Sequence, residues 1–375
     1  MKLIIRFTFL LFFSSLELFA SSGTDSTQAL EKIEIIKTRH GRFLVFPYIF
    51  YTPETELAFG VGGIITFYTS EYLNLRPSKL SLSGYYSTNQ QYKFTLTPQL
   101  YMWRNQLFLS MDLVYGHFVE RFYDIGNNTP DTGMEDYTSD SWGGTATIQL
   151  PPLFISRNPN NKIGLIFDFL NYQIDDVKNN PYLQDDEVTG YHGGWNSGLG
   201  FTWVWDNRDN IFYPGHGMFH QVSALFYLQE IGSDYVFNRY KVDLRQYVTI
   251  VPSHILAIQF FASVVQKSAP FYSLSKVGGQ QLMRGYYEGR FRDKNLLAGQ
   301  LEYRAHFWRR FGFIAFAGLG EVAGELQNLR LDALKPSAGI GLRFLFSKEE
   351  KVNLRADIGF GQNTSGIYFG VEEAF

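Results

Sequence analysis

From Gly41 to Phe375 the chain alternates apolar and polar residues with a period of two, segment after segment. The clearest case is Lys294–Trp308. Leu297, Gly299, Leu301, Tyr303, Ala305 and Phe307 take one parity; Ala298, Gln300, Glu302, Arg304 and His306 take the other. Successive side chains of a strand point to opposite faces, so such a segment lies between two different surroundings. The same scheme recurs where Phe94, Leu96, Leu100 and Met102 oppose Lys93, Thr95, Thr97 and Gln99. It recurs again where Leu354, Ala356, Ile358 and Phe360 oppose Arg355, Asp357 and Gly359.

Sixteen such segments of roughly ten residues each follow one another. The intervening stretches also alternate. The longest, near 119–140 and 175–190, follow odd-numbered segments, and the stretches after even-numbered ones are mostly shorter. An even number of short amphipathic strands with long loops on one rim predicts an all-β, transmembrane antiparallel β-barrel of 16 strands. A mean hydropathy of −0.14 does not conflict with this, because the two faces cancel along each strand. The polar faces carry much Gly, Ser and Thr, which suits a crowded interior. A bilayer leaves backbone groups no solvent partner, so the sheet must close. Tyr51, Tyr115, Trp103, Trp142, Trp195, Trp205 and Trp308 fall at strand ends and predict two aromatic girdles.

Residues 1–20 read as a signal peptide, with Lys2 and Arg6 ahead of an apolar run and Ala20 at the cleavage point. Residues 21–40 read as a short periplasmic lead-in, and 41–375 as the barrel domain. The expected location is the bacterial outer membrane, reached by export and cleavage.

Lys and Arg (33) nearly balance Asp and Glu (36), so there is no nucleic-acid footprint, and the absence of cysteine excludes thiolate metal sites and disulfides. No GxSxG, HExxH or phosphate-cradling loop occurs. His216 and His220 flank a turn and do not make a metal site. The reading is a non-enzyme with no cofactor and no metal. A hydrolase with its catalytic groups scattered over the strands is the less favoured alternative, with His306 and Asp357 the pair to watch. A passive porin-like channel is the other, and the Arg239–Arg245 polar face would tune its ion selectivity.

The segment Gly278–Asp293 stands apart. It is rich in glycine and carries Arg284, Arg290 and Arg292 immediately before the best-patterned strand. Its Leu282–Tyr286 (LMRGY) resembles the Arg-Gly-aromatic motif of the bacterial surface antigen superfamily, the BamA/TamA-type outer-membrane assembly factors. Leu301–Arg304 (LEYR), Asp206–Gly217, Leu354–Gly361 (LRADIGFG) and the C-terminal aromatic strand are similar to that family too, so the resemblance spans about residues 41–375. It implies that this sixth extracellular loop, between the eleventh and twelfth strands, folds into the lumen. Arg284, Gly285 and Tyr286 would be its motif and Glu302 an inner-wall partner.

The family's second acid stands on the next strand, before an Ala-Gly pair. Phe316 occupies that position here, which leaves Glu321 or Asp357 as secondary acids. Phe369, Val371 and Phe375, with Ile367, would form an outward C-terminal assembly signal interrupted by Glu373. Family members carry periplasmic POTRA repeats, and this chain reads as a barrel-only member. The implied role is outer-membrane biogenesis or transport. The implied partners are outer-membrane lipid, the barrel assembly machinery, and protein or lipid clients.

Overall fold

A computed structural model describes residues 42–375 except 53, 72–74, 132–135, 153–157, 159, 178–179, 184–186 and 349–350. The expected signal peptide and lead-in lie outside the described residues.

The barrel strands in chain order are β1 (Arg42–Thr52), β2 (Glu56–Phe67), β3 (Ser78–Ser87), β4 (Tyr92–Met102), β5 (Leu107–Arg121) and β6 (Asp136–Leu150). β7 (Asn161–Asp176), β8 (Gly194–Asp206), β9 (Gly217–Tyr227), β10 (Phe237–Val251) and β11 (His254–Lys267) follow. Two three-residue strands, β12 (Ser275–Val277) and β13 (Phe291–Asp293), pair with each other outside the main sheet. The wall resumes with β14 (Asn295–Trp308), β15 (Phe311–Ala323), β16 (Lys335–Ser347), β17 (Val352–Gly361) and β18 (Thr364–Val371). The sixteen wall strands form one antiparallel sheet in sequence order, β1 to β11 and then β14 to β18. β1 and β18 lie side by side, and among the described residues no hydrogen-bonded ladder joins them. The barrel is therefore nearly closed, with one seam.

The alternation decides which face is which. On β8, Leu199, Phe201 and Trp203 are exposed while Asn196, Thr202 and Asp206 on the opposite face are buried. On β17, Phe360 is exposed while Asp357 and Arg355 are buried. A soluble protein does the opposite, so the solvent outside this sheet is apolar. Two segments apolar at both parities, 43–51 and 311–320, still divide between the faces. β15 turns Phe311, Phe313 and Leu319 outward and keeps Ile314 and Phe316 inside. β1 exposes Phe43, Val45 and Ile49, while Phe50 is buried.

Aromatic residues mark both rims. Trp103 and Trp308 are exposed at the short-turn rim; Tyr51, Tyr115 and Trp142 are exposed at the other, where Trp142 packs 5.1 Å from Trp195. The long connections over 122–135, 177–193, 268–294 and 324–334 all leave the second rim. Beneath them the buried side is packed. Phe122, Tyr137, Tyr172, Tyr227, Phe237 and Phe271 form an apolar core there, drawn from both strands and loops. The sequence pattern gave no sign of this core, because its loop members show no period.

Candidate functional site

The segment 278–293 is clamped at its base. β12 and β13 pair from Ser275↔Asp293 to Val277↔Phe291, and Gly126 bridges to Arg292 from a neighbouring loop. The clamped segment packs through Val277, Met283, Tyr286 and Phe291 against Leu296, Ala298 and Val322 on β14 and β15.

At its tip Arg284 is fully buried. Its Nη1 donates to Asp357 Oδ2 at 2.5 Å, and its Nη2 donates to Glu302 Oε2. Each acid is shared. Arg304 Nε donates to Glu302 Oε1 at 2.8 Å, and Arg343 Nη1 to Asp357 Oδ1 at 2.5 Å. Arg343 Nε continues to Glu373 Oε2 at 2.7 Å. A buried guanidinium needs its charge matched, and the two terminal nitrogens of this fork meet two carboxylates on strands that are not adjacent, while Nε has no partner among the described residues. Phe316 completes the cradle, with its ring centroid 3.7 Å from the Arg284 guanidinium carbon. The position where a second acid was sought thus supplies a π-face, and Asp357 supplies the charge.

The backbone of the motif is received just as closely. Ser337 Oγ donates to Arg284 O at 2.5 Å, and Gly285 N–H donates to Tyr368 Oη at 2.9 Å. Tyr286 Oη donates to Pro336 O at 2.7 Å and accepts from Gln362 N–H at 2.8 Å. Gly285 has φ +113°, and a Cβ there would stand 2.5 Å from the Phe360 carbonyl carbon. On the wall side, a Cβ on Gly359 would lie 2.7 Å from the Arg284 carbonyl carbon, and one on Gly361 2.6 Å from the Tyr286 ring. Asp357, Gly359 and Gly361 share one face of β17, so the strand offers a carboxylate beside a groove with no side chains.

The residues singled out in the sequence therefore divide. Arg284, Gly285, Tyr286, Glu302 and Asp357 come together. Glu321 does not join them: its Oε2 accepts the backbone N–H of Arg330 at 2.9 Å. His306 is also apart from Asp357; its Nε2 lies 2.7 Å from Arg309 O at the β14–β15 turn. His216 faces Asp209 at 3.6 Å, and no His216–His220 metal cluster occurs among the described residues. Arg290 is held by Thr129 and Asp131, and Arg292 stacks on Phe122 at 5.1 Å.

The C-terminal residues need correction. Ile367 and Phe369 are outward and exposed, but β18 ends at Val371 and Glu372 takes φ +69°. That left-handed residue ends the period-two register. Phe375 is consequently buried against Tyr247 and Ala257 instead of facing outward, and its carbonyl oxygen accepts from Arg304 Nη2 at 2.8 Å. Glu373, expected to interrupt the outward face, is buried in the Arg343 pair.

A family model described as the Omp85 superfamily domain matches residues 74–375. The chain belongs to the Omp85 superfamily. Its barrel is similar to the crystal structure of BamA from Haemophilus ducreyi lacking POTRA domains 1–3, with a TM-score of 0.57 at 16% identity over 88% of this chain and 70% of that one. It is similar to CdiB from Acinetobacter baumannii, at a TM-score of 0.56 and 13% identity over 88% of this chain and 59% of that one. CdiB from Escherichia coli gives 0.55 and 10% over 90% and 68%. No curated protein matches by sequence. The resemblance read from LMRGY and its neighbouring strands points to the same superfamily, whose barrels are outer-membrane proteins.

Within this Omp85 barrel, sequence reasoning missed Ser337, Phe316, Gly359, Gly361 and Tyr368 as parts of the cradle. One signal was available. Alternate glycines on the polar face of Leu354–Gly361 mark a strand approached closely by another backbone.

Proposed function

We propose that this chain is an outer-membrane assembly or translocation factor. In this reading, Gly278–Asp293 folds into the lumen and latches on the inner wall. The observation that carries the latch is the burial of Arg284 between Glu302 and Asp357, on a segment clamped at its base by β12 and β13. Two carboxylates that attract one guanidinium hold the loop, and the loop in turn ties β14 to β17 across two intervening strands. The seam beside β18 suits a wall whose two edge strands separate while the rest stays tied.

The test is reconstitution. Liposomes containing the purified chain should accelerate folding of a urea-unfolded outer-membrane protein over empty liposomes. No acceleration, with the chain itself folded, overturns the assembly role. A passive pore is the second reading, favoured by an interior cavity of about 660 Å³ lined by Lys162, Arg239, Lys241 and Arg245. Steady, large single-channel conductance in planar bilayers would establish it over the latched barrel.

A further inference from the structure

Two cavities adjoin inside the barrel. The first, of about 600 Å³, runs along the seam between β1–β4 and β17–β18. Phe46, Tyr48, Phe50, Tyr85 and Phe346 line it. Ile49, Leu82 and Phe369 also border it, and all three are exposed on the outward apolar face. The cleft therefore reaches the surface that faces the bilayer, beside the pair of strands that lacks a ladder. The second cavity is the interior one of about 660 Å³. Lys79 and Glu372, paired at 3.0 Å, border both cavities and stand between them.

The second cavity is cationic. Seven Lys and Arg side chains border it against five Asp and Glu. Arg76 and Arg208 are matched by Asp206, and Arg245 by Asp243. Asp168 is taken by the hydroxyls of Thr145 and Tyr227. Lys162 and Lys241 have no ion pair among the described residues. Lys162 is only 6% exposed, and its ammonium stands 5.2 Å from the Tyr101 ring and 5.4 Å from the Phe108 ring. Lys162 is withdrawn from water with only the Asp206 counter-charge near it, which Arg76 and Arg208 already hold, while Lys241 stays exposed to the cavity near Asp168 and Asp243; an anion from outside the chain would offset the cost at Lys162.

We propose that the two adjoining cavities together bind an anionic glycerophospholipid that threads past the Lys79–Glu372 pair. One acyl chain lies in the aromatic cleft at the seam, and the headgroup phosphate sits among Lys162 and Lys241. The cleft's aromatic side and its border on the outward face select a molecule that resides in the membrane, and Lys162 and Lys241, which have no ion pair among the described residues, select negative charge. The site rests on the membrane-barrel reading but not on the Arg284 latch.

The experiment is native mass spectrometry of the purified full-length chain, released from detergent with phosphatidylglycerol or phosphatidylcholine of identical acyl chains. Phosphatidylglycerol should be retained and phosphatidylcholine should not. Lys162→Gln with Lys241→Gln should lower retention roughly tenfold or more, the scale of losing charged hydrogen bonds. The Lys162→Arg, Lys241→Arg pair should keep it. Ser83→Trp, at the register position opposite Gly62 in the cleft, should abolish lipid retention while leaving calorimetric titration with inorganic phosphate unchanged. Equal retention of both lipids, undiminished retention in the Gln pair, or saturation by inorganic phosphate with no lipid retained overturns the site. If the unaltered chain shows no heat-dependent mobility shift on a gel, the barrel reading itself fails, which is a separate outcome.

Discussion

Phe316 lies beneath Arg284 at 3.7 Å and stands directly opposite Glu302 in the β14–β15 register. One guanidinium is thus held by a ring on one strand and a carboxylate on its neighbour. Cation–π contacts of this kind contribute roughly 0.5–2 kcal/mol, more when desolvated. Phe316→Leu should therefore loosen the segment 278–293 by about that amount while the barrel stays folded. Limited proteolysis should cut the segment faster. An unchanged cleavage rate removes Phe316 from the latch.

The carboxylates should matter more. Breaking a buried pair leaves an uncompensated charge, at ~3–5 kcal/mol. Arg284→Ala should raise protease access to the segment and the noise of bilayer currents. Glu302→Ala should do likewise, and the double variant should be little worse than either single one. Simple additivity of the two effects would falsify the pairing as an energetic unit.

Gly285 tests the close approach without altering charge. Gly285→Ala places a Cβ 2.5 Å from the β17 backbone at a φ of +113°, which L side chains rarely adopt. The segment should detach from β17, with an effect comparable to Arg284→Ala. Wild-type protease resistance in this variant would show that the segment does not need to sit against Phe360 and Gly361.

A pH dependence follows from Glu54, in the turn between β1 and β2. Its Oε1 accepts the Glu288 N–H at 2.7 Å. Burial pushes its carboxyl above the ordinary value of 4.5 and outweighs the Glu288 N–H and Thr52 hydrogen bonds, which favour the carboxylate, with a smaller push upward from the Glu288 charge. A carboxyl whose folded-state pKa is raised favours the folded contact while protonated, and that contribution is lost as pH rises through the raised value. Protease resistance of the segment should increase as pH falls from neutral toward 4.5. Glu54→Gln should give the acid behaviour at every pH. A Gln variant that retains the full pH dependence assigns it elsewhere.

At the chain end, Phe375 packs against Tyr247 and Ala257, and its carbonyl accepts a hydrogen bond from Arg304 Nη2. Removing Phe375 should uncover this cluster and leave Arg304 with an unmet donor, so less heat-modifiable barrel should accumulate in the membrane fraction. Phe375→Leu should retain most of it. Equal loss in both variants would point to recognition of an aromatic ring rather than to burial.

The sequence by itself determined the wall. Period-two alternation is a local property, and sixteen segments placed Lys294–Trp308 and its companions with Leu301 outward and Glu302 inward. It also carried the motif Arg284–Gly285–Tyr286, because a short motif survives as a string. The second acid could not be chosen from the string. Glu321 and Asp357 have similar polarity in sequence, and only the tilt and register of β15 to β17 bring Asp357 to Arg284 while leaving Glu321 at Arg330. The same holds for Phe316 as a π-face, for the groove at Gly359 and Gly361, and for the place of Lys79 and Glu372 between the two cavities. The end of β18 lay beyond the pattern for another reason. A single left-handed residue, Glu372, turned Glu373 and Phe375 inward, and alternation cannot signal where a strand stops being a strand.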